Sequence, residues 1–485
     1  VSDTDVDVVI VGAGLSGIGM ACHLKRETPG KRVAILERRN AIGGTWDLFR
    51  YPGVRSDSDM FTMSYDFRPW MAPKVLAEGE QIRGYIVRTA RECDVVKDIE
   101  FGVKVAGADW SSVRQCWTVS GLHEASGESR RITCRFLVCC AGYYNYDQGY
   151  LPDFPGIENF AGACIHPQFW PETLDYRDKE IVVIGSGATA ATLIPALAEE
   201  AAHVTMLQRS PSYYLSVPGY GKWLRKLEKL VPRRWLYRSV QAGNVALQRL
   251  LYRCAIRNPH GMRRYLVGRV RKALGPDADM RHFMPDYNPW EQRLCVVPNG
   301  DLFRAIRSGK ASVVTEEIET FTERGIRLKS GEELQTDIVV TATGLALQTC
   351  GGMHFSVDGV MRPVNRQLSY KAVLVENLPN LGLVLGYVNA SWTLKADIAA
   401  RYLCRLINHM DERGLTSVEP RAPEGEAGDE SAMNALNAGY IQRGKNEMPR
   451  QGRHLPWRVT HDYGIDRKML LDEPIEDQWL EFTPP

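Results

Sequence analysis

Two short glycine strings, about 170 residues apart, carry the clearest chemistry of this chain. In DVDVVIVGAGLSG an apolar run leads into Gly12, Gly14 and Gly17, and Glu37 follows Gly17 by twenty residues at the end of VAILE. In KEIVVIGSGATA a second apolar run leads into Gly185, Gly187 and Ala190, and Arg209 follows Ala190 by nineteen residues at the end of HVTMLQR. The first glycine of such a string permits a tight turn. The second lets the backbone approach a pyrophosphate, and the third small residue lets the next helix pack on its strand. The helix N-terminus then offers free N–H groups and a dipole that favour phosphate. A carboxylate at the end of the second strand accepts from ribose hydroxyls, whereas a guanidinium there suits a 2′-phosphate. The spacing therefore predicts two nucleotide cofactors in one chain, the second resembling NADPH. Pro195 falls inside the second predicted helix and is expected to kink it.

Each string needs a strand before it and a helix after it, and the rest of the chain is consistent with that requirement. Residues 5–40 and 179–209 read as β-α-β units, residues 80–150 as a helix with short strands ending in FLVCCAG, and residues 311–344 as strands including DIVVTATG. Residues 41–70 are rich in aromatics, Gly and Asp and are expected to be irregular and to face a cofactor. Residues 151–172 read as a linker between domains, 389–410 as a helix, and 420–432 as an acidic mobile loop. The fold class expected is α/β: two Rossmann-like dinucleotide-binding domains, the second inserted in the first. The boundaries are 1–150 for the first part of one domain, 151–335 for the inserted domain with a basic helical insertion near 221–280, and 336–485 for the remainder and the tail. A chain of 485 residues with 44% hydrophobic and 24% charged residues has the composition of a soluble globular protein. A net charge of +2 argues against nucleic acid as a partner. The opening VSDTDVDVV lacks the basic and apolar regions of a secretory signal, so a cytoplasmic location is expected. The apolar stretch from Val8 to Leu24 contains four glycines, which suits the nucleotide turn better than a membrane span. Eleven cysteines without a CxxC pair argue for buried free thiols and against a metal site. From Lys222 to Lys272 the only acid is Glu228. That stretch suits a solvated helix face, a lid over substrate, or peripheral contact with an anionic membrane.

Two further strings identify a resemblance. FAGACIHPQFWP places Phe160, Gly162, His166 and Trp170 in the spacing FxGxxxHxxxW, and GGTWDLFRYPGVRSD holds Gly44, Trp46, Tyr51, Pro52, Gly53 and Asp57. Both resemble the fingerprints of Baeyer–Villiger monooxygenases, within the class B flavin-dependent monooxygenases. NPWEQRLCVVPNGDLF, NASWTLKADIAARYLCRL and YIQRGKNEMPRQGRHLPW extend the likeness to the ethionamide-activating branch and to most of the chain. The resemblance implies that FAD is held by Gly12, Gly14, Gly17 and Glu37 in the split domain, and NADPH by Gly185, Gly187, Thr189 and Arg209 in the inserted one. It implies that Trp46 and Asp57 belong to the flavin site, and that Arg293 is the catalytic arginine. Trp392 and the turn Ala342–Gly344 are implied to lie near flavin and nicotinamide. His166 is implied to couple domain movement to coenzyme binding. Many relatives carry Lys before the arginine; this chain carries Gln292, which removes a nearby cation.

The activity implied is conversion of ketones to esters or lactones with O₂ through a C4a-peroxyflavin, with sulfide oxidation as a side activity. Negative charge develops on the reduced flavin and then on oxygen, which a permanently charged guanidinium above the ring would match. Asp57 is the candidate to orient Arg293, with Asp59 its rival. A heteroatom monooxygenase without ester-forming activity is the nearest alternative, and Trp170 argues against it. A disulfide-type reductase would need a CxxxxC pair after the first string, which is absent; a non-catalytic flavin-binding regulator would give no oxygenated product.

Overall fold

The computed structural model describes residues 4–219, 221, 224–292, 294–432 and 439–484, apart from the side chains of residues 225 and 429. Two parallel sheets organise it. In the first, Val6–Val11 lies between Val33–Glu37 and Ser129–Cys139, with Ile99–Phe101 and Leu381–Leu383 beyond them, all five parallel. Val8, Val9 and Ile10 are all buried. A strand covered on both faces reads as a continuous apolar run, which is why VDVVIV shows no alternation. An antiparallel ribbon, Val103–Ser111 with Cys116–His123, continues the sheet from the first half of Ser129–Cys139.

The second sheet runs in the order Ala311–Thr315, His203–Gln208, Glu180–Ile184, Ile338–Thr341, Ala163–Ile165, again all parallel. Its strands come from between two strands of the first sheet, Ser129–Cys139 and Leu381–Leu383, so the second Rossmann-like unit is inserted in the first. The chain crosses between them twice. The crossings, Tyr144–Gly149 outward and Leu345–Leu347 on return, pair antiparallel.

Three sequence expectations need correction here. The return to the first unit comes later than residue 336, because Ile338–Thr341 pairs within the second sheet. A fully buried apolar strand does not say which sheet it joins. The expected linker 151–172 contributes Ala163–Ile165 as an edge strand of the second sheet. The expected mobile loop at 420–432 instead contains strand Ala427–Ser431, paired with Arg450–Gly452.

The basic insertion forms the helices Arg233–Arg257 and Pro259–Leu274. The long one docks on the first unit through Asn244 and Gln248, which donate to Asp59 at 2.9 and 2.7 Å. Helix Leu15–Glu27, which follows the first turn, is clamped to helix Trp392–Glu412 by buried His23, 3.1 Å from Asp397 and 2.8 Å from Glu27.

Candidate active site

The first glycine turn is built so that nothing but hydrogen fits at two positions. Gly12 has φ +102°, and a Cβ there would lie 2.8 Å from the Cys140 carbonyl oxygen. A Cβ on Gly17 would lie 1.8 Å from the Gly12 carbonyl oxygen, so the helix leaves the turn in backbone contact with it. Glu37 ends the neighbouring strand with both oxygens engaged. The Ala13 N–H donates to one at 2.6 Å and the Arg39 N–H to the other at 2.8 Å. Burial pushes its carboxyl up, against the pull of those two bonds. A second lone pair on each oxygen remains for a ribose hydroxyl. Gly44 (φ +57°) brings the GGTW segment against Gly14, where a Cβ would come within 2.9 Å of the Gly14 Cα.

The second turn repeats the design with one difference. A Cβ on Gly185 (φ +132°) would meet the Ala342 carbonyl oxygen at 2.4 Å, whereas one on Gly187 would meet nothing within 4 Å. Gly187 faces open cavity, the space a pyrophosphate needs, so the residues present fit a dinucleotide. The following helix, Ala188–Leu197, runs through Pro195. That proline has no N–H for the Ala191 carbonyl, and Arg55 donates to this carbonyl at 3.4 Å. Arg55 also pairs with Asp301 at 2.5 Å. Gly53 (φ +74°) packs on the same helix, where a Cβ would stand 2.6 Å from the Thr192 carbonyl oxygen. Tyr51 reaches Thr189; burial pushes its hydroxyl up to about 12, although that hydrogen bond acts the other way. The YPG segment of the first unit is thus fitted against the helix that begins at the second turn.

Both turns open on one cavity of about 450 Å³. Its wall includes Gly12, Gly14, Glu37, Trp46, Asp57, Gly187, Thr189, Gln292, Gly344 and Trp392, so most of the expected cofactor residues converge. The Trp392 indole N–H donates to Ser16 Oγ at 2.7 Å, fixing its ring beside Tyr143 at a centroid distance of 5.1 Å. Gly386 leaves room for that ring, since a Cβ there would lie 2.2 Å from it. Asp59, the rival of Asp57, does other work. It caps the helix Met60–Met63 by accepting from the Thr62 N–H and receives the two amides of the long basic helix. Arg293 lies outside the described residues; its chain neighbour Gln292 lines the cavity.

The other expected residues stand apart from the cavity wall. Gly17 and Gly185 sit behind their turns, and Arg209 is exposed at the end of His203–Gln208. Trp170 packs against the core of the second unit and Phe160 against its flank. Gly162 meets the Phe160 ring and the Asp337 carbonyl, where a Cβ would lie 2.5 and 2.3 Å away. His166 Nδ1 accepts from the Gln168 N–H at 3.2 Å and Nε2 faces the Gly344 carbonyl at 3.0 Å. Nε2 therefore carries the proton, and burial holds the ring below the usual histidine range, with the Gly344 carbonyl pulling the other way. The ring also lies on Gly149, where a Cβ would come within 2.1 Å. His166 thus joins both crossings between the units, as a neutral strut.

Comparison with known proteins completes this picture. The family described as FMO-like, flavin-binding monooxygenase-like, matches residues 5–223. The chain is 57% identical over 482 residues to the FAD-containing monooxygenase MymA of Mycobacterium tuberculosis, covering 98% of this chain and 97% of that one. The chain belongs to the flavin-binding monooxygenase-like family. This flavin monooxygenase is also 48% identical over 480 residues to the FAD-containing monooxygenase EthA of the same species, covering 99% and 98% of the two chains. Among solved structures, its fold matches an oxidised steroid monooxygenase bound to NADP, with a TM-score of 0.78 at 22% identity over 99% and 100% of the chains. It also matches cyclohexanone monooxygenase from Rhodococcus sp. Phi1 bound to NADP+, with a TM-score of 0.77 at 20% identity over the whole of both.

Sequence reasoning missed several supports of this flavin monooxygenase site. Asp47 is buried, accepts from Arg39 and Arg50 and pairs with Arg83, each at 2.8 Å, which anchors the segment carrying Trp46. Nothing in TWDL distinguishes that aspartate from a surface one. Arg55 had a faint signal: a proline inside a helix leaves a carbonyl that some donor must satisfy. Tyr387 lines the cavity and donates from its hydroxyl to buried Asp466 at 2.8 Å, a contact across 79 residues that no spacing reveals.

Proposed function

We propose that this enzyme is an FAD- and NADPH-dependent Baeyer–Villiger monooxygenase that converts ketones to esters or lactones, with sulfide oxidation as a side activity. The observation that carries the reading is that two glycine turns of dinucleotide type open on one cavity, from opposite units, beside Asp57 and the residue preceding Arg293. When bound, FAD and NADPH supply hydride transfer and the activation of O₂. The chain supplies position and charge. Glu37 and the Gly12–Gly17 turn hold one adenosine diphosphate, and the Gly185–Ala190 turn with Arg209 holds the other. Trp46 and Trp392 wall the meeting place, and the apolar lining limits the water that would consume activated oxygen. Arg293 would stabilise anionic oxygen on the substrate, and Asp57 would orient that guanidinium. The relatives named FAD-containing monooxygenases and the NADP-bound structural neighbours support this reading.

The test supplies the FAD-loaded protein with NADPH, ¹⁸O₂ and a panel of ketones and thioethers, with products identified by mass. Ester carrying one heavy oxygen is the expected result. Sulfoxide without ester would favour the heteroatom alternative. Arg293→Ala is expected to stay yellow and be reduced by NADPH yet yield no ester; wild-type ester yield from that variant would remove Arg293 from its role.

We further infer that the basic helices are the face turned to an anionic membrane. No acid lies between Lys229 and Pro276, and Leu230, Trp235, Leu250 and Ile256 are exposed beside the arginines. Among the described residues no helix is long and apolar enough to cross a membrane, so contact would be peripheral. Sedimentation with anionic but not neutral vesicles at low salt is expected; equal recovery in the supernatant with both would end the idea.

A further inference from the structure

The C-terminal tail brings a cation to the second cradle that neither glycine string anticipates. Arg443 belongs to the short helix Gly439–Gly444. Its guanidinium carbon stands 3.4 Å from the centroid of the Tyr150 ring. Tyr150 is itself tied to the turn that closes the second sheet. Its N–H donates to the Gly344 carbonyl at 3.2 Å, and its carbonyl accepts from Thr343 Oγ1 at 2.6 Å. A Cβ on Gly344, which lines the cavity, would lie 3.3 Å from an Arg443 nitrogen. The guanidinium is thus held at the rim of the cavity, stacked on a tyrosine whose N–H donates to the same carbonyl that receives His166.

The charges around Arg443 are unbalanced. No carboxylate of a described residue pairs with it, and the like charge that acts on it is that of Arg209. Burial draws Arg443 below the usual guanidinium range, Tyr150 pulls the other way, and the like charge of Arg209 adds to the lowering. A guanidinium held at the rim of a dinucleotide cradle without a carboxylate partner, and under the like charge of a second one, is stabilised by a bound anion. A guanidinium already stacked on an aromatic ring loses little further freedom on binding one.

We propose that Arg443 is a second phosphate-binding cation of the dinucleotide in the second cradle, acting with Arg209, so that coenzyme binding pins the C-terminal tail to the rim of the interdomain cavity. The inference rests on the NADPH reading above and adds a residue and a consequence to it. The phosphate is either the 2′-phosphate or the pyrophosphate, and the two are separable by ligand.

The test needs no turnover. The FAD-loaded wild type, Arg443→Gln and Arg443→Lys are titrated calorimetrically with NADP+, 2′,5′-ADP and ADP. Amide exchange over residues 439–452 is followed with and without NADP+. Arg443→Gln is expected to weaken NADP+ about 10-fold, the scale of one charge-assisted contact, with Arg443→Lys restoring most of it. Loss toward 2′,5′-ADP alone assigns the 2′-phosphate, and loss toward ADP as well assigns the pyrophosphate. NADP+ should slow exchange of the tail in the wild type and fail to do so in Arg443→Gln. Equal NADP+ affinity in the wild type and Arg443→Gln, or a wild-type tail whose exchange ignores NADP+, overturns the proposal. A wild type that binds no NADP+ overturns the coenzyme reading beneath it.

Discussion

Gly17→Ala is expected to yield a colourless protein. The added methyl would stand 1.8 Å from the Gly12 carbonyl oxygen, far inside any contact distance, and its opponent is backbone within the turn itself. Relief requires the helix Leu15–Glu27 to move away from the turn, yet Cys22, Leu24 and Ile18 on that helix are fully buried and His23 clamps it to Trp392–Glu412. Overpacking of this kind costs about 3 kcal/mol or more when the surroundings cannot yield, and the motion also withdraws the N–H groups that face the pyrophosphate. The absorbance ratio of flavin to protein after purification, with a thermal melt, measures both effects. The second cradle supplies the control. Ala190 occupies the corresponding place and is fully buried, so that turn already accommodates one methyl, and Ala190→Gly should retain nucleotide binding. A Gly17→Ala protein with wild-type flavin content and melting temperature would show that the close approach is not required.

Lys395→Met should lower stability by about 3–5 kcal/mol, the usual consequence of removing one partner from a buried ion pair. Lys395 and Asp466 are both almost fully buried, with Nζ 3.0 Å from the carboxylate. Lys395 also donates to the Lys371 carbonyl at 3.2 Å, and Asp466 accepts from Thr460 at 2.6 Å and from Tyr387 at 2.8 Å. Burial pushes the Asp466 carboxyl up, and the Lys395 charge with these hydrogen bonds more than offsets it, leaving it below the ordinary range. Without Lys395 the remaining anion has no ion-pair partner among the described residues. Adding Asp466→Asn removes that charge and keeps an acceptor for one hydroxyl, while the other hydroxyl turns to accept from the amide, and this double variant is expected to recover roughly half of the loss. Urea midpoints at constant slope give the comparison. A single variant within about 0.5 kcal/mol of the wild type would mean that the pair contributes nothing to folding. Because Tyr387 reaches from this cluster to the cavity wall, the single variant should also bind flavin less tightly.

The legibility of the chain followed the range of its interactions. Each glycine turn is local: strand, turn, helix and the charge at the end of the next strand fall within about forty residues, and Gly12, Gly14, Glu37, Gly187 and Thr189 line one cavity while Arg209 stands off its wall. The insertion was readable because the second turn interrupts a domain that resumes later. Which sheet Ile338–Thr341 joins was not, since a buried strand has the same composition in either. Asp57 and Asp59 are indistinguishable by type and two residues apart. Only the three-dimensional placement of Thr62, Asn244 and Gln248 shows that Asp59 is taken up by capping and docking. Asp47, Tyr387 and Arg443 act through partners such as Arg83, Asp466 and Tyr150, tens to hundreds of residues away, where no periodicity carries a signal.

The pairing of Arg55 with the Ala191 carbonyl bears on how the molecule opens. Any rotation that parts the sheets draws the arginine off a helix whose proline offers that oxygen no alternative donor. Pro195 therefore makes a staple of Arg55: the donor that the helix withholds from Ala191 is lent by the other unit, which ties the YPGVR segment to the start of the second cradle's helix.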